Sequence, residues 1–217
     1  MLHVVLTGFM ASGKTAVGRR LARRLGFDFV DTDQVIEDHA GATVSEIFAR
    51  EGEPAFRRLE RETIEGLALE RPTVIATGGG TFVDAENRAT LHRLGPVVCL
   101  VTSPEVILER VSRSDKRPLA SGPGAPERLA KLYETRLPFY RMADVMVETD
   151  GLTVDQAAAR VAAAISPRLR SSARSEAQCD AKPRPQSDAA TTAEAKPSAG
   201  PSGDKERSAG SPAEKER

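Results

Sequence analysis

Five short apolar runs punctuate the chain, at residues 3–7, 27–30, 74–77, 97–101 and 145–149, and between them the apolar positions recur with helical spacing. Runs of this length bounded by Gly, Asp or Pro read as buried strands, and their alternation with helices predicts a parallel sheet covered on both faces. After the first run, Val17, Leu21 and Leu25 fall at i, i+4 and i+8 on one helix face. Thr43-x-x-Glu46 is a capping box that opens a helix through Ile47 and Phe48, which Gly52 stops. A second helix then lines up Phe56, Leu59, Thr63, Ile64 and Leu67. Ser103-Pro104 starts another, and Thr153-x-x-Gln156 caps the last, with Val154, Ala157, Ala158, Val161 and Ile165 inward and Pro167 expected to end it.

Two connections depart from simple crossovers. Residues 33–61 carry two helices where one would suffice, which suits a substrate platform; residues 112–126 are rich in Ser, Gly and Pro and carry Lys116 and Arg117, which suits a mobile lid.

Composition changes this picture at one end. After Leu169 the chain contains no Leu, Ile, Val, Met, Phe, Tyr or Trp. Such a segment buries too little apolar surface to offset its ordering entropy, so a folded domain over 1–166 and a disordered tail over 167–217 are expected. The chain has 31 Lys/Arg and 31 Asp/Glu, of which 168–217 holds ten and eight, leaving a core of weakly negative balance. Neither part is a basic footprint for nucleic acid. Cys99 lies inside an apolar run and Cys179 in the tail, so no disulfide framework is expected and a reducing, cytoplasmic compartment is. No stretch approaches a membrane span, and the start reads as a strand rather than a signal peptide.

The candidate chemistry begins directly after the first run. Gly8-Phe9-Met10-Ala11-Ser12-Gly13-Lys14-Thr15 spells G-x-x-x-x-G-K-T. Glycines at its two ends let backbone N–H groups turn toward a phosphate chain, Lys14 reaches the terminal phosphates, Thr15 offers a hydroxyl to Mg²⁺, and the following helix points its positive end at the same anion. The loop reads a nucleoside triphosphate through Gly8, Ala11, Ser12, Gly13, Lys14, Thr15 and Ala16.

Asp31-Thr32-Asp33 closes the second run and so falls at the carboxyl edge of the sheet, where open parallel sheets hold their ligands. One carboxylate there can help hold Mg²⁺ and the other can face an acceptor hydroxyl, although two aspartates after a strand also serve as ordinary loop or cap residues. Gly78-Gly79-Gly80 ends the third run and admits close approach of a ligand to backbone. Arg57-Arg58, Arg117 and Arg136 offer forks suited to carboxylates and phosphates, while exposed helical arginines are usually only solvated. His3, His39 and His92 lack partners at metal or triad spacing and read as structural or exposed.

Taken in order, the phosphate loop, Asp31-x-Asp33, Phe56-Arg57-Arg58, Gly78-Gly79-Gly80, Arg117-Pro118-Leu119 and Arg136-x-Pro138-x-Tyr140 resemble the shikimate kinases over about residues 1–166. The resemblance implies a P-loop NTPase of nucleoside-monophosphate-kinase-like fold, with a five-stranded parallel sheet flanked by helices, that transfers the ATP γ-phosphoryl group to the shikimate 3-hydroxyl. It implies Lys14 on the phosphates, Thr15 and Asp31 toward Mg²⁺, and Asp33 as base on the shikimate hydroxyls. Arg57 and Arg136 would clamp the shikimate carboxylate with backbone donors from Gly79 and Gly80, Gly78 belonging to the same substrate-binding turn. Arg117 would stabilise the transferring group and Arg110 would stack on adenine. A monomer acting on small molecules alone is expected. Where a second Leu is common after Arg-Pro-Leu the chain has Ala120, and its tail has no counterpart in the family core. A gluconate-kinase-type enzyme of the same fold, or a nucleotide-binding module without transferase activity, are the alternatives. The first needs no carboxylate clamp, and the second no acceptor-side aspartate or arginine lid.

Overall fold

The computed structural model describes residues 2–112 and 124–180. Its elements run β1 (Val4–Thr7), α1 (Lys14–Leu25), β2 (Asp28–Asp31), α2 (Thr32–Ala40), α3 (Val44–Glu65), β3 (Thr73–Ala76), α4 (Ala85–Leu94), β4 (Val97–Val101), α5 (Pro104–Ser112), α6 (Ala125–Tyr140), β5 (Val145–Glu148) and α7 (Val154–Asp180). The five strands form one parallel sheet in the order β2-β3-β1-β4-β5. Each predicted run is one of these strands, with ends differing by a residue.

Alternation along the central strands feeds two cores. Val4 and Leu6 face α1 and α7, packing with Val17, Leu21, Val161 and Ile165, while Val5 joins Ile64, Phe82, Leu91 and Ile107 on the other side. Because side chains alternate, both faces of β1 are apolar and the strand is wholly buried. A third, smaller cluster of Ile36, Ile47 and Phe56 seats α2 and α3 on each other.

The register places the site. Leu6 pairs with Ala76, and Asp31 pairs with the same Ala76 from the other side. The loop after β1, the aspartates after β2 and the glycines after β3 therefore emerge side by side from one sheet edge, and Thr77 fastens two of them by donating from its N–H (3.0 Å) and Oγ1 (3.2 Å) to the Leu6 carbonyl. β1 lies between β3 and β4, where the strand order reverses direction, the usual seat of a ligand in such sheets.

Two expectations change, at the 33–61 connection and at Pro167, and α6 has no counterpart among the predicted elements. The 33–61 connection holds a further helix, α2, ahead of α3, and α3 itself is broken at Gly52 (φ 80°, ψ 173°), the predicted stop. Arg136 sits on a helix, α6, whose pattern was hidden by Pro138 in its last turn. Pro167 does not end α7, which continues to Asp180. The proline removes one N–H, but the residues after it are tied to the body: Arg168 donates to the Asp144 carboxylate (3.1 Å) and Leu169 packs on the core. Among the described residues no helix is long and apolar enough to cross a membrane.

Candidate active site

The phosphate loop is shaped by backbone geometry. Gly8 takes φ 139°, and a Cβ there would lie 2.5 Å from the Leu100 carbonyl oxygen, so no larger residue fits. Gly13 (φ 92°) and Ala11 (φ 59°) complete the turn, and α1 opens at Lys14 with its N-terminal amides toward the loop. Lys14 is buried, and its ammonium donates to the carbonyls of Gly8 (2.9 Å) and Phe9 (2.8 Å), spanning the loop. Ser12 is buried with its hydroxyl unmatched among the described residues, a site that suits a polar ligand atom. Arg110 reaches the same loop from α5 and donates to the Ala11 carbonyl at 3.0 Å. Ala16 lies exposed in the first turn of α1.

Asp31 carries two tasks. Thr15 Oγ1 donates to Asp31 Oδ2 at 2.7 Å, while Asp31 Oδ1 accepts the Asp33 N–H at 3.2 Å and so caps α2. The cap and the candidate metal ligand are thus one residue. Asp33, one position into α2, has a buried Oδ1 with no hydrogen-bond partner among the described residues. Desolvation, followed by the neighbouring Asp31 charge, raises its carboxyl to about 6, with Glu60 and Glu37 adding to the rise and Lys14 opposing it.

Between the two aspartates, Thr32 is fully buried and accepts the Gly78 N–H at 3.2 Å, which fixes the glycine turn against the β2–α2 junction. Side chains of the site close around this turn. A Cβ on Gly78 would meet Asp33 Oδ1 at 2.5 Å and Glu60 Oε1 at 3.0 Å, and one on Gly80 would meet the Arg57 guanidinium at 2.5 Å. One on Gly79 would sit 3.2 Å from the Met10 nitrogen, so the turn also leans on the phosphate loop.

Two arginines converge here from different helices. Arg57 Nη1 donates to Glu60 at 2.8 Å and Arg57 Nη2 to Glu53 at 2.9 Å; burial works against the Arg57 charge, and the two carboxylates more than restore it. Glu60 is 1% exposed and also accepts from Thr81 Oγ1 at 2.5 Å. Arg136 approaches from α6, donating to the Gly79 carbonyl at 3.1 Å with its guanidinium over the Phe9 ring. Tyr140, one turn on, donates to the same carbonyl at 2.5 Å.

The structure therefore gathers Lys14, Thr15, Asp31, Asp33, Arg57, Gly78, Gly79, Gly80, Arg110 and Arg136 around the carboxyl ends of β1, β2 and β3. It separates the two adjacent arginines: Arg58 is 64% exposed, with only Glu62 at 3.8 Å, against 25% for Arg57. Arg117 and most of the 112–126 segment lie outside the described residues. His92 contacts Asp144 (3.3 Å) and the Phe82 ring, and His3 is buried just ahead of β1. Cys99 is a buried core thiol whose desolvation pushes it up to about 12.

Four residues escaped the sequence reading. Thr32 and Thr81 carry no pattern that marks them as turn anchors. Tyr140 stood in a recognised motif without a task. Glu60 had a usable signal, since its i,i+3 spacing from Arg57 places both on one helix face.

This arrangement has counterparts. The sequence model of the shikimate kinase family matches residues 10–166. Shikimate kinases of Symbiobacterium thermophilum (46% identity over 163 residues, 74% of this chain and 94% of the relative) and Thermodesulfovibrio yellowstonii (43% over 161 residues, 74% and 93%) are similar to it. Among solved structures, shikimate kinase from Acinetobacter baumannii in complex with shikimate superposes with a TM-score of 0.73 at 37% identity, covering 78% of this chain and 96% of that one. On these matches the chain belongs to the shikimate kinase family.

Proposed function

We propose that this chain phosphorylates the 3-hydroxyl of shikimate with ATP, and that the two halves of the described site divide the work. The observation that carries the reading is the Gly78–Gly80 turn, which touches Asp33, Arg57 and Arg136 on one side and the phosphate loop at Met10 on the other. An acceptor held by the arginines would lie beside the base and next to the γ-phosphate.

In this reading Arg57 and Arg136 clamp the shikimate carboxylate, and the backbone N–H groups of Gly79 and Gly80 add donors, the Gly78 N–H being already given to Thr32. Asp33 accepts the proton of the 3-hydroxyl as its oxygen bonds to the γ-phosphorus and the bond to the bridging oxygen breaks, releasing ADP. A carboxylate raised to about 6 is a better proton acceptor than an ordinary one and is still ionised at neutral pH. Lys14 and the loop amides stabilise the charge on the transferring group and the leaving ADP, and Arg110 lies where it can meet the adenine. Arg117, placed by its Arg-Pro-Leu motif alone, adds positive charge at the same step.

Mg²⁺ fits the oxygens present. Thr15 Oγ1 and Asp31 Oδ2 lie within 2.7 Å of each other at the mouth of the loop, and no cluster of three or more His, Cys, Asp or Glu occurs among the described residues. One hydroxyl, a carboxylate acting through water and the nucleotide phosphates make the hard, incomplete protein cage this ion prefers. When bound it would neutralise developing phosphate charge.

The reading needs no group from a second chain, and we take the enzyme to act as a cytoplasmic monomer whose catalytic unit is the sheet and its helices. A coupled assay of ADP release with ATP, Mg²⁺ and either shikimate or gluconate tests the reading. Release with shikimate alone is expected; release with gluconate alone, or nucleotide binding with no release for either, overturns it.

A further inference from the structure

The carbonyl of Gly79 is held differently from its neighbours. The Gly78 carbonyl accepts the Thr81 N–H (3.3 Å) and the Gly80 carbonyl accepts the Val83 N–H (3.0 Å), both backbone bonds of a tight turn. Gly79 instead receives two side-chain donors from one helix, Arg136 Nη1 at 3.1 Å and Tyr140 Oη at 2.5 Å. A carbonyl oxygen has two lone pairs, so both bonds can be made at once.

On the shikimate reading, Arg136 is the donor that a substrate carboxylate would draw away. A guanidinium that turns to a carboxylate gives up its bond to a part-buried carbonyl, and a buried acceptor left without a partner is costly. Tyr140 removes that cost. It lies one helical turn beyond Arg136, is 2% exposed, and belongs to the same buried cluster as Phe9, Leu129 and Ile107. Burial, with Arg136 only partly opposing, pushes its phenol well above the ordinary tyrosine range, so it remains an O–H donor at any working pH.

Building on the shikimate reading above, we propose that Tyr140 is a positioning residue for Arg136: it keeps the Gly79 carbonyl satisfied, which frees the Arg136 guanidinium to move to the substrate carboxylate without leaving an unpaired acceptor behind. Arg136 then has two alternative partners of similar standing, the peptide carbonyl and the substrate, and the tyrosine sets the balance between them. The sign is specific. Without the phenol hydroxyl, Arg136 becomes the sole cover of that carbonyl and is retained on it, so the defect appears in substrate capture and not in the transfer step.

Tyr140→Phe keeps the ring and its packing. It should raise KM for shikimate about tenfold, with kcat within about twofold, because the cost of one orphaned acceptor falls on binding alone. In an Arg136→Met background the same change should leave KM unmoved, since the carbonyl has lost Arg136 in both the free and the bound state. Toward a shikimate analogue with a neutral group in place of the carboxylate, Tyr140→Phe should also match its parent. A KM unchanged in Tyr140→Phe, or raised equally in both backgrounds and for the neutral analogue, overturns the proposal and makes Tyr140 an ordinary core residue. If wild type turns over shikimate and Tyr140→Phe behaves like it, only this inference falls; a wild type with no shikimate-dependent ADP release removes the parent reading and this one together.

Discussion

The two halves of the site are built in opposite ways. The nucleotide half is one contiguous loop, Gly8 to Thr15, whose shape comes from backbone angles and whose one buried cation, Lys14, bonds to the carbonyls of its own loop. The acceptor half is assembled from four separate segments, and side chains set its geometry: Thr32 on Gly78, Glu60 on Arg57 and Thr81, Arg136 and Tyr140 on Gly79. The first half puts positive charge where phosphates go. The second crowds Asp31, Glu37 and Glu60 around Asp33, whose Oδ1 has no hydrogen-bond partner among the described residues. Phosphate recognition is thus a local property of the chain, whereas acceptor recognition is a property of the fold.

Asp33→Asn tests the acceptor half most severely. Loss of the base should lower kcat by about 10² to 10⁴, with size and hydrogen-bonding reach retained. The same change should stabilise the protein. An acid whose folded-state value is raised binds its proton more tightly when folded, so between about pH 4 and about 6 the native state holds a proton that the unfolded chain has lost. Asp33 therefore takes stability away as pH rises through that window, and at pH 7 the full cost is present. Removing the charge should return about 2 kcal/mol and flatten that part of the stability curve, which thermal melts of both proteins at pH 5 and pH 7.5 would read. In wild type, kcat/KM should fall about tenfold per pH step below about 6. A variant that loses activity with no gain in melting temperature at neutral pH would show that the carboxylate is better satisfied than its surroundings indicate.

Lys14→Ala strikes the other half. It removes the cation that meets the transferring charge, so kcat should drop by about 10² to 10³. Shikimate binding, measured directly by calorimetry, should stay within about twofold. Equal damage to shikimate affinity would mean that the two halves are not separable and that Lys14 supports the acceptor side through Asp33.

The contrast also explains what could be read from the chain alone. Strand–helix alternation, the phosphate loop and the Thr43 capping box rest on short-range rules, and each stands where expected, as does the break at Gly52. Asp31 was legible as a cap or as a ligand, and the structure makes it a cap whose other oxygen meets Thr15. What stayed hidden depends on pairing register and long-range packing. That Thr32 anchors a turn 46 residues away follows only once Asp31 and Ala76 are aligned. Pro167 was misleading because proline lowers local helix propensity while tertiary contacts of Arg168 and Leu169 hold α7 through it, as burial of Tyr140 holds α6 through Pro138.

Arg136→Met sharpens the comparison at intermediate scale. A charge-assisted bond to a carboxylate contributes about 1.5–3 kcal/mol, so kcat/KM for shikimate should fall by tens to about a hundredfold. The Michaelis constant for ATP should barely change, because Arg136 touches the nucleotide half only through the Phe9 ring. For a neutral analogue of shikimate the variant and wild type should be nearly alike. Equal discrimination by both proteins between shikimate and the analogue would move the clamp away from α6.

The smallest effect is expected at the far end of the chain. A truncation after Arg170 retains Ile165 in the core, Leu169 against it and the Arg168 bonds to Asp144, whose carboxylate accepts from Val97 and Arg168 and lies 3.3 Å from His92, and so ties β4, α4 and α7 to the β5 entry. What is removed contains no large apolar side chain. Without such groups the segment has little to contribute to the folded state, so the melting temperature should shift by no more than about 2 °C and kcat and both Michaelis constants should stay within about twofold. A loss of 5 °C or more in the truncated protein would mean that the polar end of the chain docks on the body through charge alone, and raising the salt concentration should then lower the melting temperature of the full chain toward that of the truncated one.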